Sequence, residues 1–251
     1  MNPTLHLSPT ARLICGLGPL GLPRSIDAEL LDSEDWADEE LRESFGDIEW
    51  VNRFLGGTRL TIRAVTSLLT WMPARAPVRI LDVGAGSCDI PRALISWGHQ
   101  VGRTMSVVAG DAHERILRVA AGPPTEGLEF RVLDARSLPF GDGAFDVVTT
   151  SMLLHHLGPD EALDALKEMC RVATVGVVVN DLIRSRLNLV MAQALFLAVT
   201  RNRITRHDGP LSIRRAYTIS ELIDLLSSAG LPDLRISQFA FYRAAITARI
   251  A

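Results

Sequence analysis

The stretch Arg79-Ile80-Leu81-Asp82-Val83-Gly84-Ala85-Gly86-Ser87-Cys88-Asp89 decides the fold. An apolar run, 78–83, ends in two glycines one residue apart, and helix-forming sequence follows at 90–97. A strand, a tight glycine turn and a helix form the opening unit of a doubly wound sheet. Glycines at that turn let the backbone approach a ligand with no Cβ in the way.

The same rhythm continues downstream. Short apolar runs at 105–109, 129–133, 145–150 and 174–180 alternate with helical segments at 114–121 and 159–171. Apolar runs without polar alternation belong to strands covered on both faces. The expected class is therefore α/β, a doubly wound, Rossmann-like sheet, mostly parallel, with helices on both faces. A strongly apolar helix at 186–200 follows, then a helix at 220–229 that ends at Gly230 with Thr218 or Ser220 as N-cap. The runs 234–239 and 243–250 are close enough to pair as an antiparallel C-terminal edge. Residues 1–76 read as an N-terminal helical cap, with an acidic stretch at 27–49 taken as a solvated helix face. Residues 77–251 read as the ligand-binding domain, with a lid insertion at about 183–217.

Composition narrows the class. The 251 residues, 47% hydrophobic and 22% charged, suit one enzyme-sized domain with a small appendage. A net charge of −3 lacks the dominant basic surface of a nucleic-acid binder, and no such partner is expected. Cys15, Cys88 and Cys170 lie far apart, in neither a disulfide framework nor a metal-ligand spacing. No metal is expected, and a cytoplasmic setting is the simplest reading. No signal-peptide pattern opens the chain. The longest apolar stretch, 187–199, contains Asn188 and Gln193 and is too short for a bilayer, so it reads as a buried or lid helix. The chain is expected as a monomer or homodimer.

The glycine pair alone does not choose a ligand. A dinucleotide site normally places a third small residue three positions after the second glycine, where this chain has Asp89. Asp82 adds a second charge unfavourable to pyrophosphate. Asp111 follows the second strand, where a carboxylate can accept from both ribose hydroxyls, and Asp134 follows the third, where it can accept from an adenine amine. Three acids at the carboxyl ends of three successive strands suit an adenosyl group carrying a sulfonium and no phosphate.

At these residues the chain resembles the class I S-adenosylmethionine-dependent methyltransferases. The matching pieces are Leu81-Asp82-Val83-Gly84-Ala85-Gly86-Ser87, Gly110-Asp111, Asp134-Ala135 with Leu138-Pro139-Phe140, and Phe145-Asp146-Val147-Val148 leading to Leu154-His155-His156-Leu157. The resemblance implies S-adenosyl-L-methionine as cofactor. It places Gly84, Ala85 and Gly86 against the methionine and ribose part, Asp111 and Ala112 at the ribose, Asp134 and Ala135 at the adenine, and Ser151 beside the cofactor. Cys88 departs from the family's commoner glycine.

Methyl transfer needs the acceptor aligned on the methyl–sulfur bond, and a phenolic or enolic acceptor gains from a base. His155, His156, Asp181 and His207 are the candidates, His207 lying in a polar stretch at 201–215 read as a mobile loop. The apolar helix points to a small aromatic or acyl-bearing, polyketide-like acceptor. Arg201, Arg203, Arg206, Arg214 and Arg215 could hold its carboxylate or phenolate, touch an anionic membrane surface, or form a plain solvated basic loop. O-methylation is the preferred reaction. C-methylation of a similar scaffold, or a binding protein or cyclase of the same fold, is the alternative. Val51-Asn52-Arg53-Phe54-Leu55-Gly56-Gly57-Thr58-Arg59 resembles Asn-Arg…Gly-Gly stretches of methyltransferases encoded with polyketide synthases. It is either a segment closing over the cofactor, with Asn52, Arg53 or Arg59 near the methionine carboxylate, or a junction between two helices.

Overall fold

The computed structural model describes residues 4–7, 21–33, 35–231, 233–239 and 242–250. Cys15 and most of the opening segment read for a leader lie outside the described residues. The strands are β1 (Thr4–Leu7), β2 (Val78–Val83), β3 (Met105–Asp111), β4 (Leu128–Val132), β5 (Phe145–Ser151), β6 (Ala173–Leu182), β7 (Asp233–Phe239) and β8 (Arg243–Arg249). They form one sheet in the order β1-β7-β8-β6-β5-β2-β3-β4. Strands β2 to β6 run parallel, and β8 is antiparallel to both β6 and β7, as the C-terminal pattern predicts. One strand was not expected: β1 adds parallel to β7 at the outer edge. Four residues are too few to carry a readable period.

Both faces are covered because the apolar runs alternate their partners. Ile80, Val147, Val178 and Ala245 pack with α2 (Gly57–Leu69) and α3 (Asp89–Gln100). Their neighbours Leu81, Val148, Val177 and Ala244 pack on the other face with α5 (Pro159–Val172) and α8 (Ile219–Ser228). Helix α2 lies across β5 to β8 and is a layer of the sheet. The helix before it, α1 (Asp38–Phe54), packs instead on α4 (Glu114–Ala120) and α7 (Arg203–Arg215). The two are joined at Leu55–Gly56, where Gly56 has φ 86°. Thr218 caps α8 in a reciprocal box with Glu221.

Three expectations need correction. The acidic stretch 27–49 is α-helical only from Asp38, with a single 3-10 turn at Leu31–Ser33 before it, and Glu29 within it is buried rather than solvated. The supposed mobile loop at 201–215 is helix α7. Asn202 caps it by accepting from Thr205 N–H, and Ile204, Leu211 and Ile213 are buried, which outweighs the missing N–H of Pro210. Of the two readings of the apolar helix α6 (Arg186–Val199), buried or lid, the buried one fails: Leu187, Val190, Met191, Leu197 and Val199 are exposed. No helix among the described residues is long and apolar enough to cross a membrane.

Candidate functional site

The chain runs from β2 outward through β3 to β4, then crosses back to β5 on the other side of β2. Ligand crevices in such sheets form at that reversal, beyond the carboxyl ends of the strands. A cavity of about 410 Å³ opens there.

The glycine turn forms its floor. Gly84 and Gly86 have φ of 72° and 48°, and a Cβ on Gly86 would stand in open space, leaving its backbone exposed to a ligand. The N–H groups of Gly84 and Ala85 both reach the Gly110 carbonyl at 2.8 and 2.9 Å, tying the turn to β3. Gly86 N–H donates to Asp111 Oδ2 and His113 N–H to Oδ1, each at 3.1 Å. Each oxygen of Asp111 keeps a lone pair for a further donor. Cys88 and Met152 carry positive φ of 59° and 58° without being glycine, and both flank this crevice. Burial pushes the Cys88 thiol well above its ordinary pKa, so it is not a ready nucleophile.

Charge distinguishes the cavity. Among the described residues its lining holds eight carboxylates, those of Glu29, Asp32, Asp82, Asp89, Asp111, Asp134, Glu161 and Asp208, against one guanidinium, Arg136. Asp82 is buried and accepts from Thr149 Oγ1. Burial raises its pKa to about 7, partly offset by Thr149 and reinforced by Asp89 and Asp111. Burial likewise raises Asp89, against bonds from Asn52 and Ser87. Such a lining repels phosphate and favours a cation.

Of the residues singled out in the sequence, Asp82, Gly84, Ala85, Gly86, Asp111, Ala112, Asp134, Ala135, Ser151, His155 and His156 line this one cavity. Asp134 is half-exposed and gripped by Arg136 at 2.8 Å; Arg136 in turn reaches Glu161 at 2.6 Å. That contact holds the Asp134 carboxyl below its ordinary pKa. Asp181 lies behind the wall, buried, with Oδ1 2.8 Å from His155 Nδ1. Burial alone would raise the Asp181 pKa; the His155 ring, Leu182 N–H and Arg243 outweigh it and hold the carboxyl low. His207 is half-exposed, bonds Asp208 at 2.7 Å and does not line the cavity. Arg59 is exposed on α2 and Arg53 on α1, and neither lines it. Asn52, beside Arg53 on α1 but on its buried face, does line the cavity.

Asn52 bridges two charges. Its amide donates to Asp89 at 2.9 Å, and its carbonyl accepts from Arg243 Nη1 at 2.6 Å. Arg243 is fully buried, and a Cβ on Gly57 would collide with its guanidinium. The basic stretch is largely engaged: Arg203 pairs with Glu40, Arg206 caps the Leu197 and Thr200 carbonyls, and Arg215 pairs with Asp32 at 2.8 Å.

Sequence reasoning missed Glu29 and Asp32. Both line the cavity, where Glu29 faces His155 and His156. Burial raises the Glu29 pKa to about 7; His156 and Arg215 oppose this, while Asp208 and Asp32 add to it. Asp32 is held well below its ordinary pKa, because bonds from His156 and Arg215 outweigh its burial. The signal available was a pair of acids three residues apart, hidden in a run that looked like a solvated face.

The profile of a family described as "Methyltransferase domain" matches residues 80–176, the segment from β2 into β6. That segment is therefore similar to a methyltransferase domain. The chain is 36% identical over 111 residues to the "Ubiquinone/menaquinone biosynthesis C-methyltransferase UbiE" of Chromobacterium violaceum, covering 43% of each chain. The chain thus spans less than half the length of that relative. The methyltransferase fold is shared with human N-acetylserotonin methyltransferase in complex with SAM (TM-score 0.63, 15% identity, 85% of this chain and 56% of that one). It is also shared with a SAM-dependent methyltransferase from Aquifex aeolicus (TM-score 0.57, 18% identity, 86% and 100%).

Proposed function

We propose that this chain transfers a methyl group from S-adenosyl-L-methionine to a small phenolic or enolic acceptor. The observation that carries the reading is the charge of the cavity, eight carboxylates against one guanidinium around a glycine turn. The cofactor fits that lining: it brings a sulfonium and an ammonium and no phosphate. Asp111 would hold the ribose hydroxyls, and Asp134 with Ala135 the adenine. The exposed Gly86 backbone would admit the methionyl arm near Asp82 and Asp89. Arg59 is withdrawn from the carboxylate role, and Asn52 is the residue of its segment that fits there.

When bound, the cofactor supplies a methyl group activated by the positive sulfur. The protein's part is alignment, exclusion of water and uptake of the acceptor's proton. The acceptor would lie against Glu29, His155, His156, Phe196, Gly209 and Ser212, cavity residues that mix apolar wall with polar groups. Residues 183–217 supply Phe196, Gly209 and Ser212, in keeping with a lid over the acceptor. His155 and His156 are the candidate proton acceptors from the sequence that line the cavity. Asp181 positions His155, and His207 falls away. The name of the matched relative favours carbon over oxygen as the methylated atom. An enolate or phenolate presents both, so the proton-accepting groups serve either outcome. A small-molecule acceptor and a cytoplasmic setting belong to the same proposal.

Radiolabelled methyl transfer to a panel of phenols and enolisable ketones tests the reading, with product analysis separating carbon from oxygen. Incorporation into at least one class supports it. Binding of S-adenosylhomocysteine with no transfer to any acceptor would favour a binding protein or cyclase of the same fold.

A further inference from the structure

We infer that Glu29, His155 and His156 form a binding site for a first-row divalent metal ion at the acceptor end of the cavity. The ligand set is a carboxylate and two imidazoles, the donors such ions take. His155 Nε2 lies 3.8 Å from Glu29 Oε1, and His156 Nε2 lies 3.7 Å from Glu29 Oε2. All the donor atoms lie within 4.8 Å of one another. Metal bonds of about 2.0–2.2 Å put neighbouring ligand atoms roughly 3.3–3.6 Å apart in a tetrahedral site. The triangle therefore closes on an ion with shifts of side-chain torsion only. Both separations exceed a hydrogen bond, so Glu29 does not satisfy either ring nitrogen.

The surroundings give a second argument. A metal-binding imidazole characteristically donates its other N–H to a carboxylate, which fixes the tautomer and aims the lone pair. Both histidines do this here. His155 Nδ1 lies 2.8 Å from Asp181, and His156 Nδ1 lies 3.0 Å from Asp32. Each bond leaves Nε2 with its lone pair, within 3.8 Å of the Glu29 carboxylate. The short 3-10 turn Leu154–His156 sets the rings 4.3 Å apart and tilted 35°, which lets adjacent residues reach one point. Arg215 braces this turn, donating to the carbonyls of His155 and His156 and pairing with Asp32 at 2.8 Å. Ser212 Oγ donates to Glu29 Oε1 at 3.0 Å, leaving Oε2 toward His156.

Three protein ligands leave the ion open toward the cavity. The acceptor class this implies, which rests on the proposed methyl transfer, is a molecule with two adjacent oxygens, such as a catechol or a 2-oxo acid in its enol form. The ion would occupy Nε2 of both histidines and would acidify the acceptor's hydroxyl in their place.

Cobalt(II) titration of chelator-treated protein tests the site, read by visible d–d absorption and calorimetry, with S-adenosylhomocysteine binding as the check that each variant is folded. One Co²⁺ per chain is expected, weakened 10- to 100-fold or more in Glu29→Gln and in His156→Ala, and unchanged in His99→Ala, an exposed histidine on α3. Three results would overturn the site: no stoichiometric cobalt in protein that binds S-adenosylhomocysteine, cobalt affinity unchanged from wild type in the Glu29 and His156 variants, or a strong near-ultraviolet thiolate band placing the ion on cysteine. Cobalt binding without S-adenosylhomocysteine binding would sustain the metal site and sink the methyl-transfer reading.

Discussion

Gly86 N–H donates to the Asp111 carboxylate across 3.1 Å, so the acid at the end of β3 shapes the glycine turn at the end of β2. Asp111 therefore has two tasks, bracing the turn and meeting the ribose. Asp111→Ala is expected to weaken S-adenosylhomocysteine binding about 10- to 100-fold, the size of one or two lost charge-assisted hydrogen bonds. Isothermal calorimetry measures it, and a change below twofold would remove Asp111 from the cofactor's contacts.

Asp82 makes stability pH-dependent in a defined direction. Its carboxyl titrates near 3.8 when unfolded and near 7 in the fold, because burial disfavours its charge. Between these values the folded chain holds a proton that the unfolded chain has released. Stability from this group is complete below pH 3.8 and is lost as pH rises toward 7. Asp82→Asn is expected to remove that loss, gaining on the order of a few kcal/mol over the wild type above pH 7. Urea unfolding at pH 5 and pH 7.5 checks it. A sulfonium bound nearby would restore the charge, so cofactor binding near pH 6.5 should release protons, seen as a buffer-dependent binding enthalpy.

Gly57→Ala should destabilise without touching the ligand. The new methyl meets the Arg243 guanidinium and the Asn52 side chain, which also hold Asp89 in place. Overpacking of this kind costs about 1–3 kcal/mol. Thermal unfolding reports it, and an unchanged melting temperature would mean that the Arg243 side chain has room to move.

Asp134 and Arg136 should separate in their effects. Asp134→Ala removes the acceptor proposed for the adenine amine, and weaker S-adenosylhomocysteine binding of about tenfold is expected. Arg136→Ala frees the same carboxylate from an exposed ion pair, a contact of small worth. Its affinity should stay within about threefold of wild type. Equal losses in both variants would show that the pair acts as a unit.

The sheet and the residues proposed for the cofactor were legible because they are written locally. The run 78–83, the glycines after it and the acids at 111 and 134 each sit at a strand's end, and the strand order follows from their alternation with helices. The acceptor side was not. Glu29 reaches its place through an irregular segment, 21–30, whose acids share the composition of the helix after it. Helix α7 was hidden by Gly209-Pro210, which breaks helical sequence locally. Burial of Ile204 and Leu211, together with Asp208 accepting from the Leu30 and Leu31 N–H groups, holds it nonetheless. Arg59 and Asn52 looked equivalent in the sequence, and only the turn at Gly56 separates their directions.

The most direct test of the account is a crystal structure with S-adenosylhomocysteine bound. It should place the ribose hydroxyls on Asp111, the adenine beside Asp134, and the sulfur between the 84–86 turn and the Glu29–His155–His156 end. A ligand whose ribose lies away from Asp111, or whose sulfur points away from Glu29 and the two histidines, would contradict it.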